Sequence, residues 1–174
     1  KKERFIKDYS LNAYEANVLV SEKEISDYFE EVVKTSDIKL AKNWITGDLF
    51  ASLNDKNISI SESPIKAKEM ASLINTISSG LISGRAAKEV FEVMKDTGGD
   101  PVKIIEKKGL KQKSDPKELE VLIDRILDEN KDKVAEYKSG KNKLFGFFVG
   151  QSMKVSGGTA NPKLVNDILK KKLK

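Results

Sequence analysis

The chain has 174 residues, of which 32 are Lys or Arg and 27 are Asp or Glu, so its formal net charge is +5. It contains neither cysteine nor histidine, which excludes disulfides, Cys/His zinc sites, thiol nucleophiles and every His-based triad. Any chemistry would have to use Lys, Asp, Glu, Ser, Thr or Tyr.

A chain of this length folds as one medium-sized domain or two small ones. Hydrophobic residues make up 39% and charged residues 34%, a balance typical of a soluble helical protein with a modest core. No apolar run approaches the roughly 20 residues that cross a bilayer, and no signal-peptide h-region follows Lys1. We therefore expect a cytoplasmic fragment of a longer protein, without a membrane partner.

Helix signals recur along the chain, whereas strand-like alternation is confined to 57–61. In chain order the predicted helices are 11–19, 22–33, 38–54, 65–77, 84–95, 101–108, 116–130, 134–138, 141–155 and 163–173. The caps and N1 prolines predicted to begin them are Ser21 (in a capping box with Glu24), Asp37, Pro64, Ser83, Asp100-Pro101, Asp115-Pro116 and Asn161-Pro162.

Ten helices with short connections predict an all-α fold. The polar stretch Leu110–Ser114 predicts a domain boundary, with a helical bundle domain over 1–110 and a smaller domain of three to four helices over 111–174. The charge divides close to that boundary: residues 1–137 carry 23 basic and 26 acidic side chains, a net of −3, whereas residues 138–174 carry 9 basic and 1 acidic, a net of +8. This asymmetry favours an anionic partner, although a solvated lysine-rich terminus explains it equally well.

Residues 141–155 give two contrasting arcs on a helical wheel at 100° per residue. The arc predicted to face the core contains Leu144, Phe145, Phe148, Val149, Met153 and Val155. The opposite arc contains Lys143, Gly146, Phe147, Gly150, Gln151 and Lys154. Glycine within a helix costs about 1 kcal/mol relative to alanine, so two glycines on one exposed face indicate that another molecule or element comes close.

A sugar-phosphate backbone is one candidate for that close approach, with the lysines neutralising phosphates and Phe147 stacking on a base or ribose. The other candidate is a helix seated on Gly146 and Gly150, which would make this a protein–protein interaction module. The absence of Asp and Glu between Lys138 and Asn166 favours the nucleic acid. The Gly157-Gly158 turn leads to a helix N-terminus that could bind a phosphate or form an ordinary interhelical turn.

No catalytic site is predicted, because the carboxylates have no metal or acid/base spacing and no phosphate-binding glycine motif is present. We likewise expect no metal site and no cofactor in these residues.

Five stretches resemble a known family: FIKDYSLNAYEANVL, KLAKNWITGDL, ISGRAAKEVFEVM, IIEKKGLKQKSD and, most specifically, YKSGKNKLFGFFVGQSMKVSGGTANPKLVNDILKK. They resemble the C-terminal part of the B subunit (GatB) of the tRNA-dependent amidotransferase GatCAB, and the last stretch is also similar to small YqeY-like proteins. The family motif has the same residues at Lys141, Gly146, Gly150, Gln151, Lys154, Ala160, Asn161 and Pro162. The chain departs from it at Phe145, where a small residue is common, and at Gly157 or Thr159, where a second basic residue is common.

The resemblance implies a helical domain and a YqeY-like tail domain that together position the body of tRNA(Gln) or tRNA(Asn) and are themselves non-catalytic. It implies that ATP and Mg²⁺ belong to an N-terminal cradle domain outside this chain, through which the GatA and GatC subunits bind, and that the fragment is monomeric. The complex would convert Glu-tRNA(Gln) to Gln-tRNA(Gln), or Asp-tRNA(Asn) to Asn-tRNA(Asn), with glutamine as the ammonia source. The candidate tRNA-binding residues are Lys141, Lys143, Gly146, Phe147, Gly150, Gln151, Lys154, Asn161 and Lys163.

Overall fold

A computed structural model describes residues 1–174 and confirms the all-α prediction. It has twelve α-helices and no strand, and its one β-type pairing is an isolated bridge between Lys113 and Ala160. The chain divides into two compact units, one formed by Lys1–Ser79 with Ala87–Gly109 and the other by Gly80–Ala86 with Leu110–Lys174. None of the helices is long and apolar enough to span a membrane.

The first eight helices are α1 Lys2–Tyr9, α2 Ala13–Leu19, α3 Lys23–Val33, α4 Ile38–Trp44, α5 Phe50–Lys56, α6 Ala67–Ser78, α7 Gly84–Thr97 and α8 Pro101–Lys108. A π-helical segment, Ile45–Leu49, joins α4 to α5, and a 3-10 turn covers Ile60–Glu62. The remaining helices are α9 Pro116–Glu129, α10 Lys131–Lys138, α11 Leu144–Val155 and α12 Pro162–Lys172.

The predicted Asp and Asn caps begin four helices, because each side-chain oxygen accepts a hydrogen bond from a free amide of the first turn. The Asp37 carboxylate accepts from the Leu40 amide at 2.8 Å. The caps before α8, α9 and α12 each precede a proline at N1 and accept from the amide two residues onward, at 2.9, 3.0 and 3.1 Å. These helix starts are therefore encoded locally.

The N-terminal part differs from the prediction in two ways. Helix α1, Lys2–Tyr9, was not predicted. The predicted capping box at Ser21 and Glu24 is wrong. Helix α3 begins at Lys23, and the side chain of its N-cap residue, Glu22, makes no capping hydrogen bond. The Ser21 hydroxyl instead donates to the Val18 carbonyl at 2.8 Å, so it satisfies the end of α2 and not the start of α3.

Pro64 does not occupy N1 of a helix, contrary to the prediction. The Ser63 hydroxyl accepts from the Ile65 amide at 3.1 Å. The chain bends at Pro64 and Ile65, and Lys66, with φ −77° and ψ 161°, is extended immediately before α6. The Pro64 carbonyl lies against Gly98, where an added Cβ would come within 2.5 Å of the Pro64 oxygen. This segment is therefore held as a loop in the first unit.

The second unit has its core between α9, α11 and α12. The buried side chains of this tail core are Leu119, Ile123, Ile126, Phe148, Ala160, Val165, Ile168, Leu169 and Leu173. Helix α10 buries no residue. Helices α9 and α12 cover the buried side of α11, and α10 also contacts α11. The surface around Gly146 and Gly150 stays exposed.

The predicted boundary at residue 110 lies where Leu110–Lys174 joins the second compact unit, but that unit also includes Gly80–Ala86. The assignment of 1–110 and 111–174 as separate functional domains stays a prediction.

Candidate nucleic-acid interface

The buried side of α11 is centred on Phe148 and Ser152, both fully inaccessible to solvent. The Ser152 hydroxyl donates to the Phe148 carbonyl at 2.8 Å, so this small polar residue fits the tail core without an unsatisfied group. Val155 was predicted to face the core but is 58% exposed. The buried positions on either side of it are Ser152 and Ser156. The buried side of α11 is therefore centred farther round the helix than the wheel predicted.

The outward side of α11 contains the two predicted glycines, and both are exposed. A Cβ added at Gly146 or at Gly150 would have no neighbouring atom within 4 Å. No other helix of this chain is therefore seated on these glycines. The space beside the α11 backbone is open to an outside partner.

Two lysines lie at the ends of this open side. Lys143 immediately precedes α11 and Lys154 lies in its last turn. Both side chains are exposed, and neither belongs to an ion pair. At 1.5 Å rise per residue they are about 16 Å apart along the helix axis. We refer to Lys143, Gly146, Phe147, Gly150, Gln151 and Lys154 as the outward face of α11.

Phe147 is half-buried and already engaged within the tail unit. Its ring packs edge-on against Phe148 at a centroid distance of 5.5 Å. The Lys133 ammonium lies 3.7 Å from the Phe147 ring centroid, a cation–π geometry. Lys133 of α10 therefore lies beside the outward face. No local sequence signal connects Lys133 with Phe147.

Lys141 lies before the outward face and is paired with a carboxylate. Its ammonium is 2.8 Å from Glu136 on α10, and this hydrogen bond lowers the pKa of the Glu136 carboxyl. Both side chains are well exposed, and exposed pairs of this kind contribute little to stability. Lys141 can therefore exchange its carboxylate for another anion at small cost.

The three other predicted residues have different positions. Gln151 is half-buried on the outward face. Asn161 caps α12, and its side-chain oxygen accepts from the Lys163 amide. Its side-chain nitrogen donates to the Ser114 hydroxyl at 3.4 Å, so both polar atoms already have partners. Lys163, in the first turn of α12, is exposed.

At the turn after α11 the side chain of Arg85 comes close to the backbone, a contact that the sequence did not predict. Gly158 has φ +80°, and a Cβ added there would lie 3.7 Å from Cδ and 3.8 Å from Nη1 of Arg85. Arg85 thus lies against the backbone of the Gly157-Gly158 turn. The two residues are far apart in the chain and no sequence pattern connects them.

No group of three or more Asp or Glu side chains is arranged to hold a metal ion. The outward face of α11 offers cations, amides and open backbone.

Comparison with known proteins identifies the family. The family model described as "GatB domain" matches residues 27–173. Relatives named as the B subunit of aspartyl/glutamyl-tRNA(Asn/Gln) amidotransferase match 99% of the chain, with 63% identity in Pelagibacter ubique, 49% in Ehrlichia ruminantium and 49% in Nitrosococcus oceani. The chain spans 36–37% of the length of these relatives. The chain therefore belongs to the GatB family, the B subunits of the aspartyl/glutamyl-tRNA amidotransferase.

Proposed function

We propose that this chain is a tRNA-binding part of GatB, and that the outward face of α11 contacts the sugar-phosphate backbone of the tRNA. The observation that carries the proposal is an open backbone surface at Gly146 and Gly150 between two unpaired lysines. It lies in a segment with no acidic residue from Lys138 to Asn166.

The physical basis of binding is the release of condensed counterions. Each phosphate that a lysine neutralises releases counterions from the nucleic acid, so affinity falls steeply with salt. Lys143 and Lys154 would neutralise phosphates at the two ends of the face. The glycines between them allow the RNA backbone to approach the helix, while Gln151 supplies a neutral donor and acceptor.

The names of the relatives support a wider role for the whole protein. We propose that the longer protein converts Glu-tRNA(Gln) to Gln-tRNA(Gln), or Asp-tRNA(Asn) to Asn-tRNA(Asn), in a cytoplasmic GatCAB complex with GatA and GatC. ATP and Mg²⁺ would bind in a part of the longer protein outside these residues. In this division of labour the monomeric fragment positions the tRNA body and performs no chemical step.

A protein partner is the second candidate for the outward face. Two glycines four residues apart allow close approach of another helix backbone, and the open space beside them fits this role as well. Such a partner would gain little from Lys143 and Lys154 unless it were acidic, and association through the glycines alone would be insensitive to salt.

The two candidates are distinguished by titrating the chain with tRNA(Gln), tRNA(Asn) and an unrelated tRNA on native gels. We expect Lys143→Glu combined with Lys154→Glu to weaken tRNA binding and to leave the thermal midpoint unchanged. The matched control is Lys39→Glu combined with Lys68→Glu, which makes the same change in net charge at exposed positions of the first unit.

The salt dependence gives a second, quantitative measure. The slope of log affinity against log salt should decrease by roughly 0.7–0.9 for each phosphate that the variant no longer neutralises. Equal tRNA affinity in the wild type, the face variant and the control would refute the proposed interface.

A further inference from the structure

The Gly157-Gly158 turn extends directly from the C-terminal end of α11. The Gly157 amide donates to the Lys154 carbonyl at 3.1 Å, and the Gly158 amide donates to the Met153 carbonyl at 2.8 Å. Gly157 is exposed, and a Cβ added to it would have no neighbour within 4 Å. The open backbone of the outward face thus continues past Lys154 into this turn.

Arg85 is held beside the turn by its own segment. The Leu81 carbonyl accepts from the Gln112 amide at 2.6 Å, and the Ser83 hydroxyl accepts from the Ala86 amide at 3.1 Å. Together these bonds fix the start of α7 within the second unit. The exposed Arg85 side chain has no carboxylate of this unit within ion-pair distance, so its guanidinium charge is uncompensated there.

A third basic residue, Lys113, is joined through its backbone to the residues that follow this turn. The Lys113 amide donates to the Thr159 carbonyl at 2.6 Å, and the Lys113 carbonyl accepts from the Asn161 amide at 2.9 Å. The Lys113 side chain is exposed and belongs to no ion pair. The nearest carboxylate in the sequence, Asp115, is occupied in capping α9.

We infer that Arg85 is a phosphate-binding residue and that, with Lys113 and Lys154, it extends the outward face of α11 to a further RNA phosphate at the Gly157-Gly158 turn. This inference rests on the proposed function. Arginine suits the position because its planar guanidinium donates two parallel hydrogen bonds to phosphate oxygens. The turn itself, Gly157-Gly158-Thr159, has no basic residue. Its positive charge therefore comes from Arg85 of α7.

The inference is tested with Arg85→Gln and Arg85→Lys, titrated against a tRNA(Gln) or tRNA(Asn) transcript at several salt concentrations. The expected loss for Arg85→Gln is at least about tenfold in affinity at low salt, the lower limit for losing charge-assisted hydrogen bonds to a phosphate. The slope against log salt should decrease by roughly 0.7–0.9. Arg85→Lys should keep the slope, since the charge remains, and lose part of the affinity with the bidentate geometry.

The matched control is Arg125→Gln, which removes one arginine charge from α9, where the side chain is 77% exposed and paired with Glu129. Thermal midpoints of all variants establish that each is folded. If Arg85→Gln binds like Arg125→Gln while the Lys143 and Lys154 variant still loses affinity, the Arg85 inference alone is overturned. If the wild-type chain binds no tRNA, the proposed function fails as well.

Discussion

Replacing Gly150 by alanine tests the meaning of the open glycine surface most directly, because stability and binding should change in opposite directions. Gly150 is a helix-interior residue of α11, and an added methyl group would meet no atom within 4 Å. The substitution should therefore stabilise the helix by about 1 kcal/mol, the difference in helix propensity. Gly146→Ala should add a smaller gain, because Gly146 lies in the first turn of α11 and not in its interior. For a chain of this length each kcal/mol raises the thermal midpoint by roughly 2–4 °C.

The same methyl groups should weaken tRNA binding, because they hold the RNA backbone away from the helix. Differential scanning calorimetry measures the first effect and gel titration with tRNA the second. Gly47→Ala is the control for tRNA binding, since Gly47 is exposed and equally open but lies in the π-helical segment of the first unit. A lower thermal midpoint would show that the glycines are packed against something. A higher midpoint with unchanged tRNA affinity would refute the argument that RNA approaches the backbone closely.

Three further predictions concern stability. Phe148→Ala should destabilise the tail core by about 3–5 kcal/mol in urea denaturation, because a fully buried aromatic ring is removed, and a change under about 1 kcal/mol would contradict the observed packing. Asn161→Ala should cost about 1 kcal/mol through removal of the α12 cap, visible as a lower urea midpoint. The Lys42 hydrogen bond lowers the pKa of Glu15 below 4.5, so this pair stabilises the fold above that pH and its contribution is lost as the pH falls through the lowered value. Acid unfolding of Glu15→Gln should therefore lack this component, and an unchanged pH profile would show that the pair contributes nothing.

Local signals predicted the helix starts that depend on a few adjacent residues. Asp37, Asp100, Asp115 and Asn161 cap as predicted, because the accepting oxygen and the donating amide lie within three residues of each other. Ser21 failed because a serine hydroxyl can also donate backwards to the end of the preceding helix. A serine between two helices can thus cap the helix that follows or bond to the end of the helix that precedes it. The packing of the rest of the chain decides which of the two forms.

The outward face of α11 was predicted more fully than its surroundings. Helical periodicity alone placed Gly146 and Gly150 opposite the core. It could not place Lys133 over the Phe147 ring or Arg85 beside Gly158. These pairs join segments distant in the chain, and their positions depend on tertiary packing, which leaves no periodic trace in one sequence. Val155 is exposed because the buried side of α11 includes Ser152 and Ser156, which the hydrophobic pattern did not mark as core positions.

The inclusion of Gly80–Ala86 in the second unit has a consequence for dissecting the protein. That unit is discontinuous in sequence, so no single cut of the chain releases it intact. A fragment starting at residue 111 would lack the Leu81 carbonyl that pairs with the Gln112 amide, and with it Arg85 beside the Gly158 backbone. During ribosomal synthesis the segment carrying Arg85 must wait for α11 and the following turn before this part of the unit can assemble. Expression boundaries for the tail should therefore be chosen upstream of residue 80.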